Sequence, residues 1–243
     1  MTRFFSLLDV SGSLASGGGT LLQGNYWIED TLEVDGKKNE KLLHWPYYDQ
    51  DNTVDNFHEL MIYMAKLSQL SSEAMSDLGL QHPDLIHAKA NQIHAELWTW
   101  WRSCPSHLRD QQNDWRRQVR PRKLTVPETL QAEAASSIKS CLQGCIIYLY
   151  HILDPLGRQP QNAEVIEAIS DILEIADETP EGYGLEMQLY WGLFMAGVAV
   201  FNDEIAEALI RRKLKSDTSV SIYVCVFIYS LQIHIELTNF TAR

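Results

Sequence analysis

The residues whose spacing best suits metal binding are two cysteines in an apolar stretch. Cys141 and Cys145 are four positions apart, so on a helix both thiols would lie on one face. A closed structural zinc site needs four ligands, usually in close pairs, and the sequence offers no second pair. Small apolar fillers of a helix face are therefore the favoured interpretation of these two residues, and we expect no metal site and no cofactor.

Two other groups of candidate metal ligands also lack a complete motif. His82, His87 and His94 recur along one stretch, but no His-Glu-x-x-His pattern accompanies them. Residues 49–55 begin like a calcium-binding loop, yet the glycine at the sixth position and the glutamate at the twelfth are missing. We therefore expect surface or partly buried histidines, and a polar loop ahead of the next helix.

Catalytic and phosphate-binding motifs are absent from the sequence. The glycine-rich stretch 12–19 lacks the Gly-Lys-Ser/Thr ending of a phosphate-binding loop and the Gly-x-Gly-x-x-Gly of a dinucleotide-binding fold. No Gly-x-Ser-x-Gly elbow occurs either. We assign no catalytic or cofactor-binding residue, and we expect a protein that is not an enzyme.

A basic segment is the most distinctive polar feature. Residues 102–123 carry seven basic residues against two acidic ones. Five of the seven lie within eight positions: Arg116, Arg117, Arg120, Arg122 and Lys123. Such a run is typical of a nuclear-import signal or of a contact for an acidic partner, and a solvated loop between helices explains it as well.

The composition is that of an acidic globular chain. The 243 residues include 32 acidic and 20 basic ones, a formal net charge of −12. Such a surface repels phosphate, so we expect no direct nucleic-acid binding by this chain alone. Four scattered cysteines and a short apolar start predict a reducing intracellular compartment. Residues 219–237 approach the length of a membrane span, but their polar members favour burial in protein, and we expect no membrane association.

Helical periodicity begins near Asp55. Apolar residues recur there at the i, i+3, i+4 and i+7 positions of one face: Phe57, Leu60, Met61, Met64 and Leu67. Gly79 is the predicted end of this helix. A second helix is predicted from Pro83 to Trp101, with Pro105 beyond its end.

The third predicted helix has the clearest start. Thr125 and Glu128 fit a capping box, in which each side chain bonds the backbone amide of the other residue. Its buried stripe is Leu130, Ala134, Ile138, Cys141, Leu142, Cys145 and Leu149. Residues 154–157 terminate it, and further helices are predicted over 163–176, 184–201 and 203–215.

The most apolar helical segment covers residues 185–197. It is too hydrophobic for a surface helix, so it belongs in a core. Because strand patterning is scarce, we predict the all-α class, as an irregular multi-helix bundle with an extended or loop-rich N-terminal segment. Residues 1–54 form that segment of the same domain, 55–215 form the helical core, and 216–243 form an uncertain C-terminal segment.

Three stretches carry a resemblance to a known family. They are residues 4–19 continuing to Tyr26 and Trp27, the helix end at 147–153, and residues 185–197, where a Trp, a short apolar run and a Gly precede a charged helix. Together they resemble the fungal-specific transcription factor domain, the regulatory region that follows the zinc binuclear cluster in many fungal regulators. The resemblance covers most of residues 1–215. It implies an α-helical regulatory core that tunes transcription in the nucleus.

The sequence departs from the family pattern at both ends. Four scattered cysteines cannot form the six-cysteine zinc cluster that reads DNA in the family. Met1 falls where a family member would already be inside the regulatory domain, so we expect a truncated chain or a gene-model fragment. The β-branched run from Ser219 does not resemble the usual helical ending, so residues 216–243 are expected to be atypical.

These features predict a regulatory domain of a fungal transcription factor that does not itself read DNA. It would act through protein–protein contact or effector sensing, with a second copy, related regulators or the transcription machinery as partners and a small molecule as the effector. The alternative is a helical enzyme of fungal metabolism with an aromatic-lined pocket. A third hypothesis is a dominant-negative partner that dimerises with full-length regulators and cannot bind DNA.

Overall fold

The described part of the chain is almost entirely helical. The computed structural model describes residues 33–34, 37–38, 53–109, 126–155, 157, 162–179, 186–200 and 203–215. Two short strands, β1 (Glu33–Val34) and β2 (Lys37–Lys38), pair antiparallel. The helices are α1 (Thr53–Ala74), α2 (Asp77–Gln81), α3 (Pro83–Ser103), α4 (Ser106–Arg109), α5 (Val126–Leu153), α6 (Ala163–Glu178), α7 (Glu186–Ala199) and α8 (Glu204–Lys215). The all-α class is confirmed.

Most predicted helix boundaries are confirmed. α3 ends at Ser103, and Cys104 is extended because a residue that precedes proline is pushed out of the helical region. α5 ends at Leu153, followed by Gly157 with a positive φ of 59°. α6, α7 and α8 lie within two residues of their predicted limits.

The predicted end of the first helix at Gly79 is wrong. α1 ends at Ala74, and Gly79 lies inside α2, which begins after the N-cap residue Ser76. Ser76 Oγ accepts a hydrogen bond from the Gly79 amide at 3.2 Å. A Cβ at Gly79 would lie 2.1 Å from the Glu73 carbonyl oxygen. Glycine is therefore needed for the close approach of α2 to α1, and not to terminate a helix.

α1 and α3 pack against each other in antiparallel directions. Lys66 Nζ lies 2.6 Å from Glu96 Oε2, and nearer the connecting turn Lys89 Nζ lies 2.5 Å from Glu73 Oε2. These ion pairs border an apolar contact between the two helices. The predicted stripe of α1 is buried at Leu60, Met61, Met64 and Leu67 and partly buried at Phe57.

α5 is the central helix of the bundle. Every residue from Ser140 to Leu149 is buried, and α5 contacts α1, α3, α4, α6 and α7. A helix buried on all sides must be surrounded by other helices. The predicted stripe is confirmed at Ile138, Cys141, Leu142, Cys145 and Leu149. The remaining predicted residues of this helix lie outside the described side chains: Thr125, Glu128, Leu130 and Ala134.

Glycines bring α7 close to α5. A Cβ at Gly144 would lie 2.8 Å from Trp191 Nε1, and a Cβ at Gly192 would lie 2.1 Å from Ser140 Oγ. The absent side chains let the helix backbones approach each other and make room for the Trp191 ring. The prediction that residues 185–197 lie in the core is confirmed at four described residues, which are all buried: Trp191, Leu193, Met195 and Ala196.

α8 is attached to the end of α6 by a buried lysine. Ala206, Ile210 and Lys213 share one face of α8 and are buried. Lys213 Nζ donates a hydrogen bond to the carbonyl oxygen of Thr179 at 2.5 Å, just past the last residue of α6. A cation at this position also interacts favourably with the dipole of α6.

None of the described helices is both long enough and apolar enough to cross a membrane. The expected N-terminal segment 1–54 and C-terminal segment 216–243 lie almost wholly outside the described residues.

Candidate interaction surface and polar junction

Four exposed apolar residues lie in the segment where α1, α2 and α3 follow one another along the chain. They are Met75, Leu78, Leu80 and Leu85, which are 72%, 61%, 69% and 46% exposed. We call these four residues the apolar corner. Single exposed apolar residues are ordinary on a protein surface, whereas four within eleven positions of the chain make this segment a candidate protein-contact surface.

The backbone of the apolar corner is held in place by local hydrogen bonds. Ser76 Oγ donates to the Glu73 carbonyl oxygen at 2.6 Å and accepts from the Gly79 amide. Pro83 opens α3 with the fixed φ of its ring, and the ion pair of Lys89 with Glu73 joins α3 to α1. A surface fixed in this way loses little conformational entropy on binding.

The border of the apolar corner is acidic. Residues 71–92 contain three acidic residues and one basic residue, Lys89. Lys89 is paired with Glu73, while Asp77 and Asp84 are exposed. A partner face with neutral or basic groups around an apolar centre would complement this border.

A second polar feature joins three helices and is here called the polar junction. It consists of His94 and Trp98 from α3, Tyr150 from α5 and Glu164 from α6. The Glu164 carboxylate accepts hydrogen bonds from Tyr150 OH at 2.7 Å and from Trp98 Nε1 at 2.7 Å. His94 Nε2 lies 2.9 Å from Glu164 Oε1. The carboxylate is thus surrounded by three donors.

The hydrogen bonds of the polar junction fix the His94 tautomer. Trp98 Nε1 lies 3.0 Å from His94 Nε2 and 2.7 Å from Glu164 Oε1. The indole N–H is only a donor, so it bonds His94 Nε2 only if that nitrogen lacks a proton. A proton on His94 Nε2 instead lets both side chains donate to Glu164. This arrangement satisfies the carboxylate best, so we assign the proton to Nε2.

The pKa shifts in the polar junction oppose proton transfer at neutral pH. Partial burial acts to raise the pKa of Glu164, but hydrogen bonds from Tyr150 and His94 outweigh it and hold the pKa below its ordinary value. Burial and the bonded Glu164 carboxylate raise the pKa of Tyr150 to about 12. A firmly ionised acid and a firmly neutral phenol are poor acid–base catalysts near pH 7, so the junction gives the enzyme hypothesis no support.

A second polar contact lies about two helical turns along the same helix pair. Asp171 of α6 accepts a hydrogen bond from Gln143 Nε2 of α5 at 2.7 Å and pairs with Lys139 at 3.0 Å. Asp171 follows Glu164 on α6, while Gln143 precedes Tyr150 on α5, so the two helices run antiparallel. Polar side chains therefore fix α6 on α5 at two levels.

The residues predicted to have polar functions are placed as follows. His82 and His87 are exposed and His94 is partly buried, as predicted. Cys141 and Cys145 are buried free thiols. Within the described part of the chain, no three His, Cys, Asp or Glu residues lie close enough together to hold a metal ion. The basic residues lie outside the described residues: Arg116, Arg117, Arg120, Arg122 and Lys123.

Neither the apolar corner nor the polar junction was predicted from the sequence. A signal for the corner was present, since Leu78, Leu80 and Leu85 are interrupted by turn-forming residues and do not continue the stripe of α1. No local signal marked the polar junction, because Glu164 meets His94 only after α3 and α6 are brought together.

Fold and surface features together define a helical domain, and one comparison identifies its family. A family model described as the fungal specific transcription factor domain matches residues 1–220. The chain belongs to this family, and the predicted resemblance is confirmed. Membership supports a role in transcription regulation. The family is not one of enzymes. No curated protein and no solved structure is significantly similar to the chain.

Proposed function

We propose that this chain regulates transcription through protein–protein contact made by the apolar corner. The observation that supports the contact is the exposure of Met75, Leu78, Leu80 and Leu85 on one locally fixed segment. Leaving such side chains in water has a free-energy cost that a partner surface would remove. Family membership supports the regulatory role, and the corner supplies a surface for it.

The acidic border favours a partner unlike the corner itself. In a symmetric contact between two copies, Asp77 and Asp84 of one copy would approach the same residues of the other. Like charges brought together oppose such a contact. The proposed partner therefore presents an apolar face with neutral or basic flanks, and belongs to a related regulator or to the transcription machinery.

Tethering the chain to DNA tests this function. The full chain, fused to an unrelated DNA-binding domain, should change reporter expression in a fungal host relative to that DNA-binding domain alone. Replacing Leu78→Ser and Leu80→Ser together should abolish the change, since the corner loses its apolar side chains. The matched control carries Ile166→Ser and Ile205→Ser, two exposed apolar residues on α6 and α8 that lie outside the corner.

The control variant should retain the wild-type reporter level, with all fusions present in equal amounts. A corner variant that regulates the reporter as strongly as wild type would show that the contact lies elsewhere. A wild-type fusion without any effect on the reporter would contradict the regulatory role itself.

We further propose that the basic segment directs the chain to the nucleus. Its five basic residues within eight positions are typical of an import signal, and the family acts in transcription. A fluorescent fusion, with a carrier large enough to exclude passive entry, should accumulate in the nucleus. Glutamine at Arg116, Arg117, Arg120, Arg122 and Lys123 should leave the fusion in the cytoplasm.

The control for this experiment removes positive charge from another part of the chain. Arg211→Gln and Arg212→Gln change two exposed residues of α8 and should leave nuclear accumulation intact. Equal accumulation of the five-glutamine variant and wild type would refute the import role of the basic segment.

A further inference from the structure

The last described helix, α8, is attached to the bundle by a small apolar contact. It packs mainly against α6 and α7, whereas the main contacts of the central helix α5 are with other helices. Of the side chains described in α8, Ile210 alone belongs to the continuous apolar core, while Ala206 is buried outside that core. Ile210 Cγ2 would lie 3.5 Å from a Cβ built on Gly197 of α7. Little apolar burial therefore holds α8 in place.

Much of the surface of α8 faces solvent. Ile205 is 85% exposed, and Arg211 and Arg212 are exposed as well. The helix has twelve residues, and a helix of this length is marginally stable in water on its own. α8 therefore keeps its helical form largely through its contacts with α6 and α7. Its backbone amides should become open to solvent exchange whenever it leaves the bundle.

A buried cation supplies a further part of the attachment. Lys213 is 8% exposed, and its Nζ donates a hydrogen bond to the carbonyl oxygen of Thr179 at 2.5 Å. A hydrogen bond from a charged donor is roughly twice as strong as a neutral one. The carbonyl lies at the carboxyl end of α6, where the helix dipole also favours a cation. Loss of the ammonium group would take this donor away from a buried carbonyl, which is costly.

A second charged contact joins α8 to α6 but lies on the surface. Arg212 Nη2 is 3.4 Å from Asp177 Oδ1, and the two side chains are 57% and 69% exposed. Ion pairs as exposed as this one contribute little to stability, because water already solvates both charges. The two neighbouring cations of α8 therefore differ, and burial makes Lys213 the stronger attachment.

We propose that α8 is a releasable helix, which separates from α6 and α7 as one unit while the rest of the bundle stays folded, and that Lys213 is the residue that keeps it attached. Elements with few buried apolar contacts open more readily than the core of a protein does. Release uncovers the end of α7 around Gly197, within a stretch, residues 195–200, that contains only apolar residues and glycine. This conditional surface is independent of the apolar corner.

Release of α8 can be distinguished from unfolding of the whole bundle. A substitution in the middle of α5 destabilises the closed form and the form with α8 released by the same amount, so it leaves the equilibrium between these two forms unchanged. A substitution at Lys213 destabilises only the closed form and therefore shifts this equilibrium. The two kinds of variant should thus affect the exchange of α8 differently.

Hydrogen–deuterium exchange of the full chain, followed by mass spectrometry of peptides from α8 and α5, tests the proposal. In wild type, α8 amides should be at least about tenfold less protected than α5 amides, after correction for their intrinsic exchange rates. Leu142→Ala should lower the protection of α5 at least about tenfold through its lost contacts and cavity. The protection of α8 should stay within about twofold of wild type in that variant. Lys213→Met keeps an apolar stem and should lower the protection of α8 at least about tenfold.

Arg212→Met is the matched control, since it removes the same charge from the neighbouring residue. It should change the protection of α8 by no more than about twofold. Ile210→Ala shortens the apolar contact and should act in the same direction as Lys213→Met, with circular dichroism confirming the fold of every variant. Loss of α8 protection in Leu142→Ala in step with α5 would show that α8 opens only with the whole bundle, and would overturn the proposal. Equal α8 protection in folded Lys213→Met and in wild type would overturn the role of Lys213.

Discussion

Position 192 of α7 faces the backbone of α5 so closely that it admits no side chain. A Cβ there would lie 2.1 Å from Ser140 Oγ and 2.7 Å from the Ser140 carbonyl oxygen. The hydroxyl can rotate away, but the carbonyl oxygen moves only with the helix. Gly197 of the same helix differs, because its Cβ would meet only Ile210 Cγ2, at 3.5 Å. Two glycines of one helix therefore have different roles.

At this scale, alanine substitution distinguishes the role of Gly192 from that of Gly197. Gly192→Ala should lower the free energy of unfolding by about 1–3 kcal/mol, because the new methyl group forces α7 away from α5. Gly197→Ala should leave it unchanged or raise it by up to about 1 kcal/mol, because alanine favours the helix and meets no close neighbour. Urea denaturation followed by far-ultraviolet circular dichroism measures both. Equal losses in the two variants would contradict the assigned close contact.

The sequence could identify the apolar segment around these glycines but not the glycine that the fold requires. The burial of Trp191 follows from the apolar composition of its own helix, which is local information. The clash at Gly192 depends on Ser140, which is distant in the chain. Only the crossing of α5 and α7 brings the two residues together.

At the scale of elements, Glu164 connects α6 to both α3 and α5. Its pKa is lower in the folded chain than the ordinary value, which is near that of an unfolded chain. The folded state therefore gains stability from the ionised carboxylate at any pH above the unfolded pKa. This contribution decreases as the pH falls through the folded pKa and the carboxylate takes up a proton.

Glu164→Gln tests this connection. At pH 7 the variant should lose about 1–3 kcal/mol of stability, because three donors lose their charged acceptor. The difference from wild type should shrink as the pH falls through the lowered pKa of Glu164, because the native carboxylate then takes up a proton. Urea denaturation at pH 7 and at a series of lower pH values measures this difference in stability. The control is Glu167→Gln, at an exposed position of α6. A difference that does not depend on pH would show that charge is not responsible.

The sequence predicted the helices better than it predicted their contacts. The stripe of α5 and the ends of α3 follow from periodicity and from proline, which act over a few residues. The polar junction needs Glu164, His94 and Tyr150 from three helices, and a hydrogen bond between helices leaves no pattern in any one of them. The wrong end at Gly79 has the same origin, because that glycine is required by the nearby Glu73 carbonyl oxygen.

At the scale of the molecule, one continuous apolar core includes buried residues from α1 to α8. α5 passes through its middle and contacts five other helices. Helices arranged around one central helix lose their main packing surface if it unfolds, so they should unfold together. Four of the seven tryptophans lie in the described helices and report on two of them: Trp98, Trp100 and Trp101 on α3, and Trp191 on α7.

Leu142→Ala tests whether the bundle unfolds as one unit. Leu142 is fully buried in the middle of α5, so its truncation should lower the free energy of unfolding by about 2–5 kcal/mol through lost contacts and the cavity left behind. Tryptophan fluorescence and circular dichroism should shift together, because the helices that carry the tryptophans depend on α5. Leu80→Ala, at the exposed corner, should stay within about 0.5 kcal/mol of wild type. Separate fluorescence and circular dichroism transitions in the Leu142→Ala variant would mean that α5 does not couple the helices around it.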